Sequence, residues 1–459
     1  MKERITPHGG LTRISTSGSP FVNRAGERDT WLHSLRVGKP AEMKGDIVTH
    51  VPIQPPILSL TERSRRWARV RSLMRERGFD GLLVAGFRSR EMYETYITDD
   101  YNEGCVIFPL EGNPVVITWA HLRVMRARWS QERGTKLWVD DYRVATSGTA
   151  VAEVLREKSL DGSSLGVVGL SSQAPTEIYG AIPANFWMEL TAAVPKARWE
   201  DVSEEFSHLM LVKSDEELAQ VRYAARAAEA ACRVVVELTV PGIGEEVVFA
   251  EATREMLRHG IGLRYPTIVM NSGAHTLSWG PPRWTTSGEA PRILERGDLL
   301  QMELMPLCGN QEVQVQMTVA LDPVDDTNLK CEQVARASYD AGIKALKPGM
   351  SFADLLAVME EPLNSAGCWG YTPLVHSLGP HFLAGRTQVN QEQANLNVPF
   401  VGPNAARRRQ ALLQPGMVFA FEPNACIGNH RVNIGGSVVV TSTGCEELNH
   451  IPTSVAHKQ

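Results

Sequence analysis

The feature that most constrains this chain is a spacing that occurs twice. In "TVPGIGEEVVFAEATREMLRHG" the pair Pro241-Gly242 is followed by a helical pattern and then by Gly260. In "LKPGMSFADLLAVMEEPLNSAG" Pro348-Gly349 leads through a similar pattern to Gly367, and the Pro-to-Gly interval is nineteen residues both times. Further on, Gly297 precedes Glu303 by six residues in "GDLLQME", and Gly416 precedes Glu422 by six in "GMVFAFE", with Pro306 and Pro423 close behind. Two matched intervals in the same order predict a duplicated helix–helix–strand unit over 206–459. If the copies are related by a pseudo-two-fold axis, Glu303 and Glu422 are counterparts that face one another across a cavity. Two carboxylates so close cannot both ionise cheaply without something cationic between them.

The strand segment of the first copy supports that cavity. "GDLLQMELMPLCGNQEVQVQMTVAL" has a period of two on both sides of a turn at Gly309-Asn310, which is a hairpin signal. Leu300, Met302, Leu304, Val313, Val315, Met317 and Val319 form one face. The other face carries Gln301, Glu303, Gln314, Gln316 and Thr318, with none of the lysines usual on a solvated sheet. It therefore reads as the lining of a polar chamber.

The rest of the chain arranges itself around this unit. Residues 1–55 mix Gly, Ser, Pro and charge without period and read as an N-terminal extension. From 56 to 205, helical and strand patterns alternate: "LTERSRRWARVRSLMRERGFDGLLVAG" as helix then strand, "EGCVIFPLEGNPVVITW" as a hairpin, "AVAEVLREKSL" as a helix and "SLGVVGLS" as a strand. That alternation predicts a smaller α/β domain. Ser214 and Glu217 form a capping box at the head of a helix whose Leu218, Val221, Ala225, Ala228, Cys232 and Val235 make one apolar stripe.

With 459 residues the chain is long for one core, so two domains are the default. A net charge of −5 offers no basic surface for nucleic acid or anionic membrane. No apolar run approaches the roughly 20 residues of a membrane span. Seven scattered cysteines include no CxxC pair, and "MKERITPHGG" has no apolar signal core. A cytoplasmic protein without a zinc knuckle is expected.

In order along the chain, "LVKSDEELAQVRYAARAAEAA", "VPGIGEE", "NSGAHT", "ERGDLLQMELMP", "HSLGPHF" and "LQPGMVFAFEPNA" resemble the family of creatinase, aminopeptidase P, prolidase and methionine aminopeptidase. The resemblance spans roughly 55–455. It implies an α+β fold, a duplicated "pita-bread" catalytic domain preceded by a smaller N-terminal α/β domain, in a homodimer with its active site near the subunit interface. Peptidases of this family hold two metal ions with two Asp, one His and two Glu. The matching positions here are Glu303, Gln314, His376, Glu422 and Gly435. A neutral amide and a glycine are poor substitutes for bridging carboxylates, so no metal and no other cofactor is expected.

Creatinase is the metal-free branch, and this chain resembles it more. His275 in "NSGAHT" stands where that branch has its catalytic histidine, and His376 matches its second histidine. Glu422 matches a carboxylate that holds the guanidinium, while Gln316 replaces the other, with Glu303 placed to compensate. Arg386 approximates an arginine that binds a substrate carboxylate, and His381 is a further candidate contact. Glu103 takes the place of an arginine supplied by the partner subunit, which disfavours creatine. Trp279, Trp284 and Trp369 point to a flat or apolar part of the substrate. The expectation is a metal-independent hydrolase of a non-peptide C–N bond (amidine, guanidine, lactam or cyclic amide) in a small nitrogenous molecule. His275 would move the proton, His376 would stabilise the tetrahedral oxygen, and Glu422 with Glu303, Gln314 and Gln316 would grip the nitrogens. Two alternatives stand beside it: a metal-dependent Xaa-Pro peptidase or lyase with altered ligands, and a binding module without catalysis.

Overall fold

A computed structural model describes residues 54–459 except 88–89, 175–179, 400–405 and 407, and leaves aside the side chains of 264–267. The extension expected over 1–55 therefore lies, up to residue 53, outside the described residues. The first sheet comprises β1 (Gly81–Ala85), β2 (Cys105–Pro109), β3 (Val115–Thr118), β4 (Asp141–Val144), β5 (Ser164–Val168) and β6 (Arg198–Asp201). Its order is β4-β3-β2-β1-β5-β6, with β1-β2 and β2-β3 antiparallel and the remaining pairs parallel. The hairpin expected over 103–119 is β2-β3. Val84, Val106 and Phe108 pack on one side of the sheet, and Leu83, Ile107 and Val167 on the other, so both faces are buried.

The C-terminal domain contains the duplicated unit. In the first copy, helices Asp215–Leu238 and Glu245–Arg258 pack on a sheet of β7 (Gly262–Gly273), β8 (Leu299–Cys308) and β10 (Val315–Leu321), with β9 (Gln311–Glu312) at the hairpin turn. In the second, helices Asp326–Ala345 and Phe352–Ala366 pack on β12 (Val375–Ser377), β13 (Val418–Phe421), β16 (Gly436–Val440) and β17 (Cys445–Glu447). A small sheet of β11 (Trp369–Gly370), β14 (Asn424–Ile427) and β15 (His430–Asn433) lies within this half, and β18 (Ala456–Lys458) closes the first sheet beside β10.

Backbone detail repeats as closely as the sequence. Gly242 and Gly349 both adopt left-handed φ, at 92° and 81°, and their N–H groups donate to Leu294 O and Leu413 O. Gly297 and Gly416 follow at 93° and 88°, donating to Leu321 O and Val440 O. These turns exclude side chains other than glycine at little cost, which is why the spacing was visible at all. Ser214 and Glu217 form the capping box as expected.

The pseudo-two-fold axis passes beside Gln316 and Gly435, each nineteen residues after its glycine. These counterparts bridge one another, with Gln316 N donating to Gly435 O at 3.1 Å. Gln314 with Ser437 and Thr318 with Asn433 add hydrogen bonds between the two copies. On β8, Leu300, Met302 and Leu304 fill the first core, so Gln301 and Glu303 point away from it toward the second copy. On β13, Phe419 and Phe421 fill the second core while Val418 and Ala420 face the first, and Glu422 continues that inward side. Gln301, Glu303, Gln314, Gln316 and Thr318 of the hairpin are all buried, and the second strand is broken at Val313-Gln314 rather than continuous.

Candidate active site

A cavity of about 450 Å³ opens between the two copies, lined by Glu303, Gln314, His376, His381, Glu422, Trp279 and Arg90, among others. At its floor, Glu422 is gripped by three donors. Gln314 Nε2 donates to Oε2 at 3.0 Å, Gln316 Nε2 donates to the same oxygen, and His376 Nε2 stands 3.2 Å from Oε1. The Gln316 amide is oriented from behind, because its Oε1 accepts from Asn424 Nδ2 at 2.9 Å. His376 Nδ1 lies 3.1 Å from Ser377 O, and a carbonyl only accepts, so Nδ1 carries hydrogen. The Nε2–Oε1 contact is then favourable when it holds one shared proton. Burial disfavours charge on His376, but the Glu422 carboxylate outweighs this and raises the imidazole above its ordinary value. Burial likewise lifts Glu422, with His376 opposing it.

Glu303 lies opposite Gln316 in the β8-β10 register. Burial, reinforced by the nearby Glu422 charge, pushes its carboxyl up to about 8; Trp279, Arg431 and His376 pull the other way. Trp279 Nε1 donates to Glu303 Oε1 at 2.9 Å. Behind it, Arg431 is held by Gln301 Oε1 at 2.8 Å and lies over the Tyr371 ring. The floor thus holds two carboxylates of different character. Glu422 is surrounded by donors, while Glu303 is lifted until it keeps its proton near neutral pH.

Arg90 reaches this cavity from the first domain. Its Nη2 donates to Glu312 Oε1 at 2.9 Å and meets His381 Nε2 at 2.8 Å. A guanidinium has only donors, so His381 Nε2 is the acceptor and its hydrogen sits on Nδ1. The His381 ring lies 4.4 Å from that of His376.

Of the expected residues, the cavity brings together Glu303, Gln314, His376, His381, Glu422 and Trp279, with Gln316 directly behind Glu422. Five others lie elsewhere. His275 is exposed, its ring 5.5 Å from that of His430, outside the cavity lining. The same loop brings Trp279 to Glu303 and leaves His275 exposed, so within one chain His275 does not reach the cavity. Arg386 is exposed and 4.0 Å from Glu360; its neighbour Thr387 lines the cavity instead. Glu103 lies in a separate cleft of the first domain, held by Arg123 at 2.6 Å and by Trp119 Nε1 at 2.9 Å. Arg123 there offsets the charge of Glu103. Trp284 packs on Phe249, and Trp369 is buried beside Tyr371. Arg90, Met305, Tyr371, Val389 and Leu396 line the cavity without having been singled out. Arg90 and Leu396 sit in stretches without period, where no pattern could have pointed to them.

The donor set can be tested against the two metal ions that the peptidases hold. At Gly435 a Cβ would lie 1.8 Å from Phe421 O, so the backbone occupies the place of a ligand side chain. Gln314 directs its amide N–H at Glu422, and among the described residues no group of three or more His, Cys, Asp or Glu is arranged to hold a metal ion. The residues present do not fit a two-metal centre. Among the described residues no helix is long and apolar enough to cross a membrane.

Comparison with known proteins agrees with this architecture. The pattern of metallopeptidase family M24 matches residues 219–442. Creatinase of Bacillus sp. (strain B-0618) is 24% identical over 418 residues, covering 88% of this chain and 94% of the relative. Ectoine hydrolase of Halomonas elongata is 22% identical over 412 residues, covering 84% and 95%. Among solved structures, X-Pro aminopeptidase from Thermotoga maritima MSB8 superposes with a TM-score of 0.67 at 16% identity, over 85% of this chain and 99% of that one.

Proposed function

We propose that this chain, which belongs to the creatinase, aminopeptidase P and prolidase family, is a hydrolase of a non-peptide C–N bond in a small nitrogenous molecule and works without a metal ion. The observation that carries this reading is the amide grip on Glu422: Gln314, which stands at a metal-ligand position of the family pattern, and Gln316 beside it both spend their N–H groups on that carboxylate. A carboxylate so held is a fixed acceptor for substrate N–H or for the proton of an attacking water. The names of two relatives, creatinase and ectoine hydrolase, support a small nitrogen compound as substrate.

In this mechanism the substrate's nitrogens lie between Glu303 and Glu422. Glu422, steadied by His376, takes a proton from water as the oxygen adds to the carbon. Glu303, protonated near neutral pH, gives its proton to the leaving nitrogen as the C–N bond breaks. Proton return from Glu422 to Glu303 resets the site. The working unit in this reading is a homodimer, which rests on the family resemblance.

The test is turnover after exhaustive chelation. Wild type keeps its C–N hydrolysis, and Glu422→Gln loses about 10²-fold or more in kcat with its circular dichroism unchanged. A second reading, an Xaa-Pro peptidase using one ion, would need Glu303, His376 and Glu422, which line one cavity, to draw together around the ion from positions that do not form a metal-holding group. Activity that vanishes on chelation and returns with stoichiometric metal would decide for it.

A further inference from the structure

The mouth of the cavity is apolar in a way the chemistry at its floor does not require. Trp279, Val389 and Leu396 line the cavity and yet remain 48%, 36% and 47% exposed. They are three of the large hydrophobic side chains left at the surface, and they come from two different segments. Scattered exposed apolar residues need no explanation, but three converging on the rim of one cavity do. Below them, Met305, Tyr371 and Pro373 continue the apolar wall inward.

Trp279 ties this rim to the floor. Its indole N–H donates to Glu303, which fixes the ring so that its remaining edge stands in the mouth. Val389 and Leu396 are held opposite by the 387–396 segment, anchored where Gln388 N donates to Gly370 O and Gly428 N to Gln393 Oε1. A group bound to the Glu303 side of the floor therefore continues outward past an indole face and two aliphatic side chains. The cavity volume, about 450 Å³, lies in the range that encloses drug-sized ligands rather than the smallest metabolites. No carboxylate, ammonium or guanidinium lies among the rim residues Trp279, Val389 and Leu396. The cation that lines the cavity, Arg90, is engaged by Glu312 and His381.

We infer that the substrate is bipartite: a polar nitrogen head between Glu303 and Glu422, and an uncharged aliphatic or aromatic arm, attached on the Glu303 side, seated between Trp279, Val389 and Leu396. This deepens the proposed function and rests on its assignment of the head. The substrate class is an N-substituted amidine, guanidine or amide with an apolar substituent, rather than a compact zwitterion.

The test is a calorimetric titration of the full-length protein with N-alkylguanidines from methyl to hexyl, alongside the same compounds with a terminal carboxylate or ammonium. The expected result is a Kd that falls about fourfold per methylene until the mouth is filled, with a shift of Trp279 emission. The charged tips lose that gain. The double variant Leu396→Ser, Val389→Ser flattens the dependence on arm length by about tenfold over the series. Heads that bind and depend on Glu422, with no gain from the arm, overturn the inference and leave the hydrolase reading standing. A gain that survives in the double variant places the arm elsewhere and also overturns it. A mouth sealed by a second copy, seen as a dimer whose Trp279 emission ignores the arm, does the same. If no guanidine binds at all and chelated enzyme cleaves no C–N compound, both readings fall.

Discussion

Burial at the foot of the cavity and the neighbouring Glu422 charge lift Glu303 from an ordinary 4.5 to about 8. A carboxyl whose pKa rises on folding favours the folded state while it is protonated in both states. Its contribution is complete below about pH 4.5, declines as the unfolded chain ionises, and is gone once pH passes the folded value near 8. The Tm of wild type minus that of Glu303→Gln should therefore drift downward between those limits and level off above them. A flat difference would show that Glu303 is ionised throughout. The same proton governs catalysis in the proposed mechanism, so kcat/KM should fall on the alkaline side with an apparent pKa near 8. His376 shows why a residue's role depends on more than its type. Its Nδ1 is committed to Ser377 O, so only Nε2, facing Glu422, is free to exchange a proton.

At the scale of elements, the decisive unit is the pair of inward strand segments that meet at Gln316 and Gly435. Gly435 has φ 152°, and a Cβ there would lie 1.8 Å from Phe421 O and 3.0 Å from Glu422 Cα. Gly435→Ala should therefore destabilise by several kcal/mol, on the order of the larger strain effects known for single substitutions, and should displace Glu422 even where the chain still folds. Denaturant unfolding and turnover of this variant measure both effects; an unchanged midpoint would mean the backbone yields freely. This element also explains what the sequence could show. Matched glycine turns marked the duplication, because only glycine tolerates φ near 90° at Gly242, Gly297, Gly349 and Gly416. Strand alternation marked Glu303, Gln314 and Gln316, because both neighbours of each belong to the core side. Arg90, Val389 and Leu396 stayed hidden because they lie in irregular loops, where position is set by distant contacts and no period exists. His275 stands outside the cavity lining for the same reason: a loop motif fixes order along the chain, not the side on which the loop presents each residue.

For the molecule as a whole, the first domain is fastened to the second through buried charge. Arg66 bonds Glu62 and Glu217, each at 2.9 Å, while Arg65 bonds the same two carboxylates at 2.7 and 2.8 Å. Glu62, Arg66 and Glu217 are all buried, so removal of one partner leaves uncompensated charge inside the protein. Glu217→Gln should cost about 3–5 kcal/mol, read as a lower urea midpoint; a loss under about 1 kcal/mol would mean that water reaches the network. The fastening matters for the cavity, since Arg90 arrives there on the first domain's loop. The glycine at 435 carries a further consequence. With the Phe421 carbonyl lodged where any side chain would need to stand, no larger residue can enter at 435 unless that peptide retreats first, so the position is locked by its neighbour and not by its own chemistry.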